Sequence, residues 1–202
     1  TRTARTRRRE ITTAAERILQ DLGIASPEEI DLEAIAWTRG AVVHYRPLDK
    51  CEATIVGSRT RAIITVNSKS LPTRKRYSLA HELGHWHHHK GRLLYCGPGD
   101  VEAQAKNALN PEYQADAFAS DLILPNYLFR PVALKLKKPS LALVREVAEE
   151  FEASLTATYL KLVATDLFPL ITVCHGPLGR RWFRSAPSLP GWWFARQDLA
   201  PD

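Results

Sequence analysis

Five of the seven histidines fall between positions 81 and 89, in the run His81-Glu82-Leu83-Gly84-His85-Trp86-His87-His88-His89. Inside it stands H-E-x-x-H. On a helix, positions i and i+4 lie about 40° apart around the axis and about 6 Å apart along it. His81 and His85 can therefore reach one ion from a single face, at the roughly 2.0–2.1 Å that zinc–imidazole bonds require. Glu82, next to the first histidine, is placed to take a proton from water held beside that ion. The chemistry such a group performs is metal-assisted hydrolysis.

A catalytic zinc usually has three protein ligands and one open position, so the third ligand decides the class. In the pattern H-E-x-x-H-x-x-G-x-x-H the third histidine would be residue 91, but that residue is Gly91, and residue 88 is His rather than Gly. His88 faces almost the same way as His81 but lies about 10.5 Å further along a helix, too far to share an ion. The run His87–His89 reads instead as a solvated helix end, favourable at the C-terminal dipole. A carboxylate from a second helix is the other solution. Glu112 opens the next strongly helical segment, with Asp116 one turn later on the same face. Glu112 can reach the metal while Asp116 hydrogen-bonds a ligating imidazole and fixes its tautomer. Glu102 is a rival third ligand, in a stretch without periodicity.

Both residues depend on helices that the sequence marks clearly. Helical periodicity runs from Thr73 to about His89 and from Pro111 to Leu124, the latter with proline at its first turn and Pro125 just past its last. Before them, apolar spacing from Ile11 to Leu22, closed by Gly23, predicts a helix. Asp31 caps a second one through Leu32, Ile35 and Ala36, which stops at Gly40. Ala41–Tyr45, Ala53–Val56 and Arg61–Val66 read as three short strands forming a small antiparallel sheet. After the second histidine–acid helix, Leu141–Phe151 and Leu155–Ala164 make two more helices. Leu170–Cys174, Arg181–Arg184 and Trp192–Ala195 read as tail strands. The expected organisation is a basic arm at 1–9, an α+β body at 10–138, a helix-turn-helix-like segment at 139–167 and a β-rich appendix at 168–202.

The chain has 202 residues, 45% hydrophobic and 25% charged, which excludes a mainly disordered protein. The apolar stretch at 162–174 is broken by Asp166 and Pro169, so no membrane span is expected. The arginine-rich start has no apolar run behind it, which argues against a secretory signal. Cys51, Cys96 and Cys174 are sparse and odd in number, a pattern of free thiols in a reducing cytoplasm. The net charge is +6, yet Arg2, Arg5, Arg7, Arg8 and Arg9 supply five of it, and without them 23 basic residues face 22 acidic ones. The arm could touch DNA phosphates weakly, or be a plain tail; the body is not a basic surface.

The stretch Tyr77-Ser-Leu-Ala-His-Glu-Leu-Gly-His85, followed by Glu112-Tyr-Gln-Ala-Asp-Ala-Phe-Ala-Ser-Asp-Leu-Ile-Leu-Pro125, resembles the ImmA/IrrE metallopeptidases. So do Ile30-Asp-Leu-Glu-Ala-Ile-Ala36 and Ile64-Thr-Val-Asn67, and the likeness covers roughly 10–165. It implies a minimal zincin-like metallopeptidase domain that inactivates, by cleavage or otherwise, a helix-turn-helix repressor of the XRE type. It further implies His81, His85 and Glu112 as ligands of Zn2+, or of another divalent metal such as Mn2+, and Glu82 as catalytic base. Asp116 stands where Asn is common in the family. Residues after 168 follow no pattern of that family.

Zincins bind an extended substrate beside an exposed sheet edge, so the strand at 53–56 or the one at 61–66 is the candidate edge. Tyr77 and His175 are candidate oxyanion donors, with Tyr77 better read as a core residue. The helix pair at 141–164 has helix-turn-helix proportions, but its second helix offers only Lys161 and several threonines for DNA, so packing explains it better. The aromatics Trp182, Phe183, Trp192, Trp193 and Phe194 are expected to pack in a short sheet, with recognition the lesser reading. Two functions compete. One is an intracellular zinc endopeptidase; the other is a non-cleaving regulator that senses metal or binds DNA and repressor.

Overall fold

The computed structural model describes residues 12–90 and 110–194. The arm at 1–9, Cys96 and Glu102 lie outside them. Helix α1 (Ala14–Asp21) starts at a reciprocal cap: Glu16 N–H donates to Thr13 Oγ1 at 3.3 Å, and Thr13 N–H to Glu16 Oε2 at 3.1 Å. The other Glu16 oxygen accepts from Asn126 N–H at 2.6 Å, so a local cap also ties the first helix to a segment far along the chain. A 3-10 turn at Pro27–Glu29 leads to α2 (Leu32–Thr38), where Asp31 Oδ1 accepts from Ala34 N–H at 2.9 Å. Gly40, at φ +80°, ends this helix, and a Cβ there would meet Thr60 O at 2.6 Å.

Three strands follow: β1 (Ala41–Arg46), β2 (Ala53–Gly57) and β3 (Ala62–Asn67). Their order is β1-β3-β2, with β2 antiparallel to β3 but β1 parallel to it, Arg46 beside Asn67 and Ala53 beside Val66. The sheet is therefore mixed, and the fully antiparallel arrangement expected from sequence is corrected. The reason is the linker at 47–52, which passes the end of β3 instead of folding back as a hairpin. The Asn67 side chain holds it there, donating to Leu48 O at 3.0 Å and Cys51 O at 3.4 Å and accepting from Leu48 N–H at 3.3 Å. β3 is thus central, and of the two candidate edges only β2 is one.

Helix α3 (Pro72–His88) covers β2 and β3, and α4 (Pro111–Ile123) packs along α3. Ile64, Val66, Leu79 and Leu83 from the sheet and α3 meet Leu122 and Phe118 from α4 in one core with Leu19 and Leu32. Pro125 opens a helix absent from the sequence reading, α5 (Asn126–Leu134), which buries Phe129 and Ala133 despite Pro131 in its interior. Helices α6 (Leu141–Glu150) and α7 (Leu155–Ala164) begin at Ser140 and Ser154, whose hydroxyls accept from Leu143 and Ala157 N–H. The chain then forms an antiparallel hairpin, β4 (Ile171–Gly176) and β5 (Gly179–Ser185), beside α7.

The expected strand at 192–195 is corrected. Through Phe194 the chain makes turns, and Trp192, Trp193 and Phe194 are exposed rather than packed in a sheet. Among the described residues no helix is long and apolar enough to cross a membrane.

Candidate metal centre

The α3 sequence puts Tyr77, His81 and His85 on one stripe at i, i+4 and i+8. This stripe faces the first turns of α4. There Pro111 fits the first helical position, and Asn110 Oδ1 accepts from Glu112 N–H at 2.9 Å. Glu112 thus stands at the positive end of a helix dipole, where a carboxylate is favoured.

The two helices come close because α3 has glycine at 84: a Cβ there would lie 2.8 Å from Ala115 Cα and 3.2 Å from Phe118 Cβ. Across that contact His81 Nε2 lies 3.2 Å from Glu112 Oε2, and His85 Nε2 3.2 Å from Glu112 Oε1. The two imidazole Nε2 atoms are 3.0 Å apart. Asp116 Oδ1 sits 2.9 Å from His81 Nδ1 and accepts the Tyr77 hydroxyl at 2.6 Å.

This arrangement dictates tautomers. A carboxylate accepts only, so His81 donates its Nδ1 proton to Asp116, and once Nε2 is deprotonated its lone pair faces His85 and Glu112. His81 Nε2, His85 Nε2 and the two Glu112 oxygens then converge at 3.0–3.2 Å, an arrangement satisfied by a proton on His81 or by a metal ion among them. Four donors at zinc distances form a tetrahedron with edges of roughly 3.3 Å, so the triangle fits zinc with one vertex left over. His81, His85 and Glu112 are also the metal-capable group found among the described residues, with ligand atoms within 4.8 Å of one another.

The electrostatics agree. Burial pulls the His81 pKa down, but hydrogen bonds to Asp116 and Glu112 outweigh it and bring it to about 9. Those same histidines hold the Glu112 carboxyl well below the usual carboxylate range. Asp116 is lowered too, its own burial opposed by the bonds from His81 and Tyr77. Glu82 is buried, and burial raises its pKa against the pull of His81 and His85, which strengthens it as a proton acceptor. Its charge reaches the Cys51 thiol as well; burial, Glu82 and Glu52 raise that thiol together.

His81, Glu82, His85, Glu112 and Asp116 therefore all gather at one place. The remaining expectations divide. The run 87–89 is solvated only in part: His88 is exposed, but His89 is buried, and His87 stacks on Phe118 with centroids 5.0 Å apart, its pKa pulled down to about 4 by burial and the nearby His88 and Arg39 charges. The sequence did not reveal that α4 lies against this turn. Tyr77 packs against the core as expected, but its hydroxyl is also the second donor to Asp116. The i−4 spacing from His81 was the available signal. His175 sits on β4, in the hairpin beside α7, and no hydrogen bond or ring contact among the described residues joins it to the histidines of α3. Lys161 faces inward, not toward DNA: it is buried, and its ammonium donates to Asp121 Oδ1 at 2.7 Å.

A family model described as Peptidase M78, the IrrE N-terminal-like domain, matches residues 36–163. No curated protein sequence matches the chain. Solved structures do, among them a Mycobacterium tuberculosis transcriptional regulator with a TM-score of 0.60 and 16% identity, covering 87% of this chain and 55% of that one. The likeness is one of fold, and this chain spans little more than half the length of that protein.

Proposed function

This chain belongs to the IrrE N-terminal-like peptidase family, and on that premise we propose that it is a zinc-dependent endopeptidase that cleaves a specific protein, an XRE-type helix-turn-helix repressor. The observation that carries the reading is the convergence of His81 Nε2, His85 Nε2 and the Glu112 carboxylate beside the buried Glu82. These three side chains would hold Zn2+; imidazole and carboxylate also accept Mn2+. When bound there, zinc would supply a lowered water pKa and a polarised scissile carbonyl.

The chain's own groups do the rest. Asp116 keeps the His81 proton on Nδ1, which leaves Nε2 free to bind, and Tyr77 anchors Asp116 in turn. Glu82, next in sequence to His81, takes the proton of the attacking water on its carboxylate and passes it to the departing amide nitrogen. The substrate lies extended along β2, the sheet edge that borders α3, and completes the ladder with main-chain hydrogen bonds.

The test is incubation with XRE-type helix-turn-helix repressors from the same genome, with and without chelator, read as cleavage products by mass. Glu82→Gln should keep stoichiometric zinc and lose cleavage. The competing account is a non-cleaving regulator that senses metal or binds DNA and repressor. It stands if Glu82→Gln inactivates the repressor as well as wild type does, or if wild type inactivates it without fragments.

A further inference from the structure

The positive charge of this chain has a second seat besides the N-terminal arm. Residues 167–202 carry four basic side chains, Arg180, Arg181, Arg184 and Arg196, against Asp198 and Asp202, whereas residues 10–166 carry 19 basic and 20 acidic side chains. Among the described residues three cations elsewhere pair with carboxylates, in Arg74–Glu52, Arg76–Glu152 and Lys161–Asp121. The three hairpin arginines do not. Arg180 stacks its guanidinium 4.9 Å from the Phe183 ring, Arg184 donates to the carbonyl of Phe183, and Arg181 lies over Gly176. None forms an ion pair among the described residues, and Arg181 and Arg184 are exposed.

Large aromatics follow immediately. The chain leaves β5 through turns fastened at the base of the hairpin, where Ala186 N–H donates to Leu170 O at 2.8 Å and Ser188 N–H to Asp166 Oδ1 at 3.0 Å. It then presents Trp192 and Phe194 at 74% and 69% exposure, with the Trp193 ring 5.8 Å from that of Trp192. Surface tryptophans in water are costly, and unneutralised arginines with stacked rings are the chemistry of an unpaired nucleic acid strand. Arginines hold the phosphates, and flat aromatic faces take the bases, which a duplex keeps stacked on one another.

We propose that the β4–β5 hairpin and the Trp192–Phe194 segment form a binding surface for single-stranded nucleic acid. It lies beside α7, apart from the α3–α4 metal centre, and does not depend on peptidase activity.

The test is fluorescence anisotropy of labelled (dT)20 and (U)20 with the full chain, over a salt series, together with its tryptophan emission. Wild type should bind either strand and lose tryptophan emission on saturation; a preference between the two identifies DNA or RNA as the source. Arg181→Glu/Arg184→Glu should bind at least tenfold more weakly and shallow the salt slope by about 1.4, at 0.7 per lost single-strand phosphate contact. Trp192→Ala/Trp193→Ala should weaken binding by about tenfold and remove most of the quenching, with the salt slope kept. All changes are at the surface, so melting temperature and zinc content should match wild type. Wild-type affinity in the charge-reversed variant would overturn the proposal, because the N-terminal arm would then account for binding. So would equal competition by a 20-base-pair duplex or by polyglutamate, the latter because it marks a site for acidic chains in general.

Discussion

A methyl group added at Gly84 would stand 2.8 Å from the Cα of Ala115 and 2.9 Å from its carbonyl oxygen. Glycine within a helix costs about 1 kcal/mol relative to alanine, yet here it allows α3 and α4 to lie close enough for Glu112 to reach both His81 and His85. The sign of a substitution follows from that contact. Gly84→Ala gains helix propensity but forces the helices apart, and overpacking of this kind costs about 1–3 kcal/mol. The variant should melt several degrees below wild type and bind zinc at least tenfold more weakly in a competition titration with a chelating dye. Equal or higher stability with unchanged affinity would mean that this contact does not set the spacing of the three donors.

Asp116 orients His81 and is itself held by Tyr77. Partners that fix a metal-binding imidazole typically contribute 10–100-fold in affinity or activity. Asp116→Ala should lose zinc affinity in that range. Asp116→Asn keeps an acceptor oxygen for the Nδ1 proton and should lose less. Tyr77→Phe removes only the anchor and should cost a few-fold, with stability nearly unchanged. An Asp116→Ala chain that binds zinc like wild type would remove Asp116 from the site.

Lys161 and Asp121 form a pair with side-chain exposures of 6% and 20%. Deleting one partner of a buried pair leaves a charge without compensation, at a cost of about 3–5 kcal/mol when burial is complete; the partial exposure of Asp121 puts Lys161→Ala near the lower end. Lys161→Met/Asp121→Leu should recover most of that loss. Urea unfolding measures both. A single variant no less stable than the double one would show that the pair contributes little.

The metal helices were legible because their signals are local. The i, i+4 spacing of His81 and His85, Pro111 ahead of Glu112, and the serines and aspartate that open helices all act within one or two turns. What escaped depends on partners distant in sequence. The parallel placement of β1 rests on Asn67 holding the linker at 47–52, and nothing in the strands themselves encodes it. Helix α5 was hidden by Pro131, whose cost is met by burying Phe129 beside Phe151. His87 looked solvated because its neighbour, Phe118, arrives from another helix. Trp192 and Trp193 were assigned to a sheet on the assumption that aromatics seek the core, and the exception is what marks that surface.

Proton and metal compete for the same atoms in this centre, and the competition has a direction. In the metal-free chain the hydrogen bonds to Asp116 and Glu112 raise His81 from its ordinary value of 6.5 to about 9, against the opposing effect of burial. A raised histidine stabilises the fold fully below 6.5, and that contribution is lost as pH climbs through 9. The metal-free chain should therefore melt at progressively lower temperature between pH 6.5 and 9. Zinc reverses the trend, because its ligands must be deprotonated and binding expels the proton. Affinity should rise with pH up to about 9, by as much as about tenfold per unit, and calorimetry in buffers of different ionisation enthalpy should register proton release at pH 7.5. A zinc affinity flat between pH 6.5 and 9 would show that His81 carries no proton to displace.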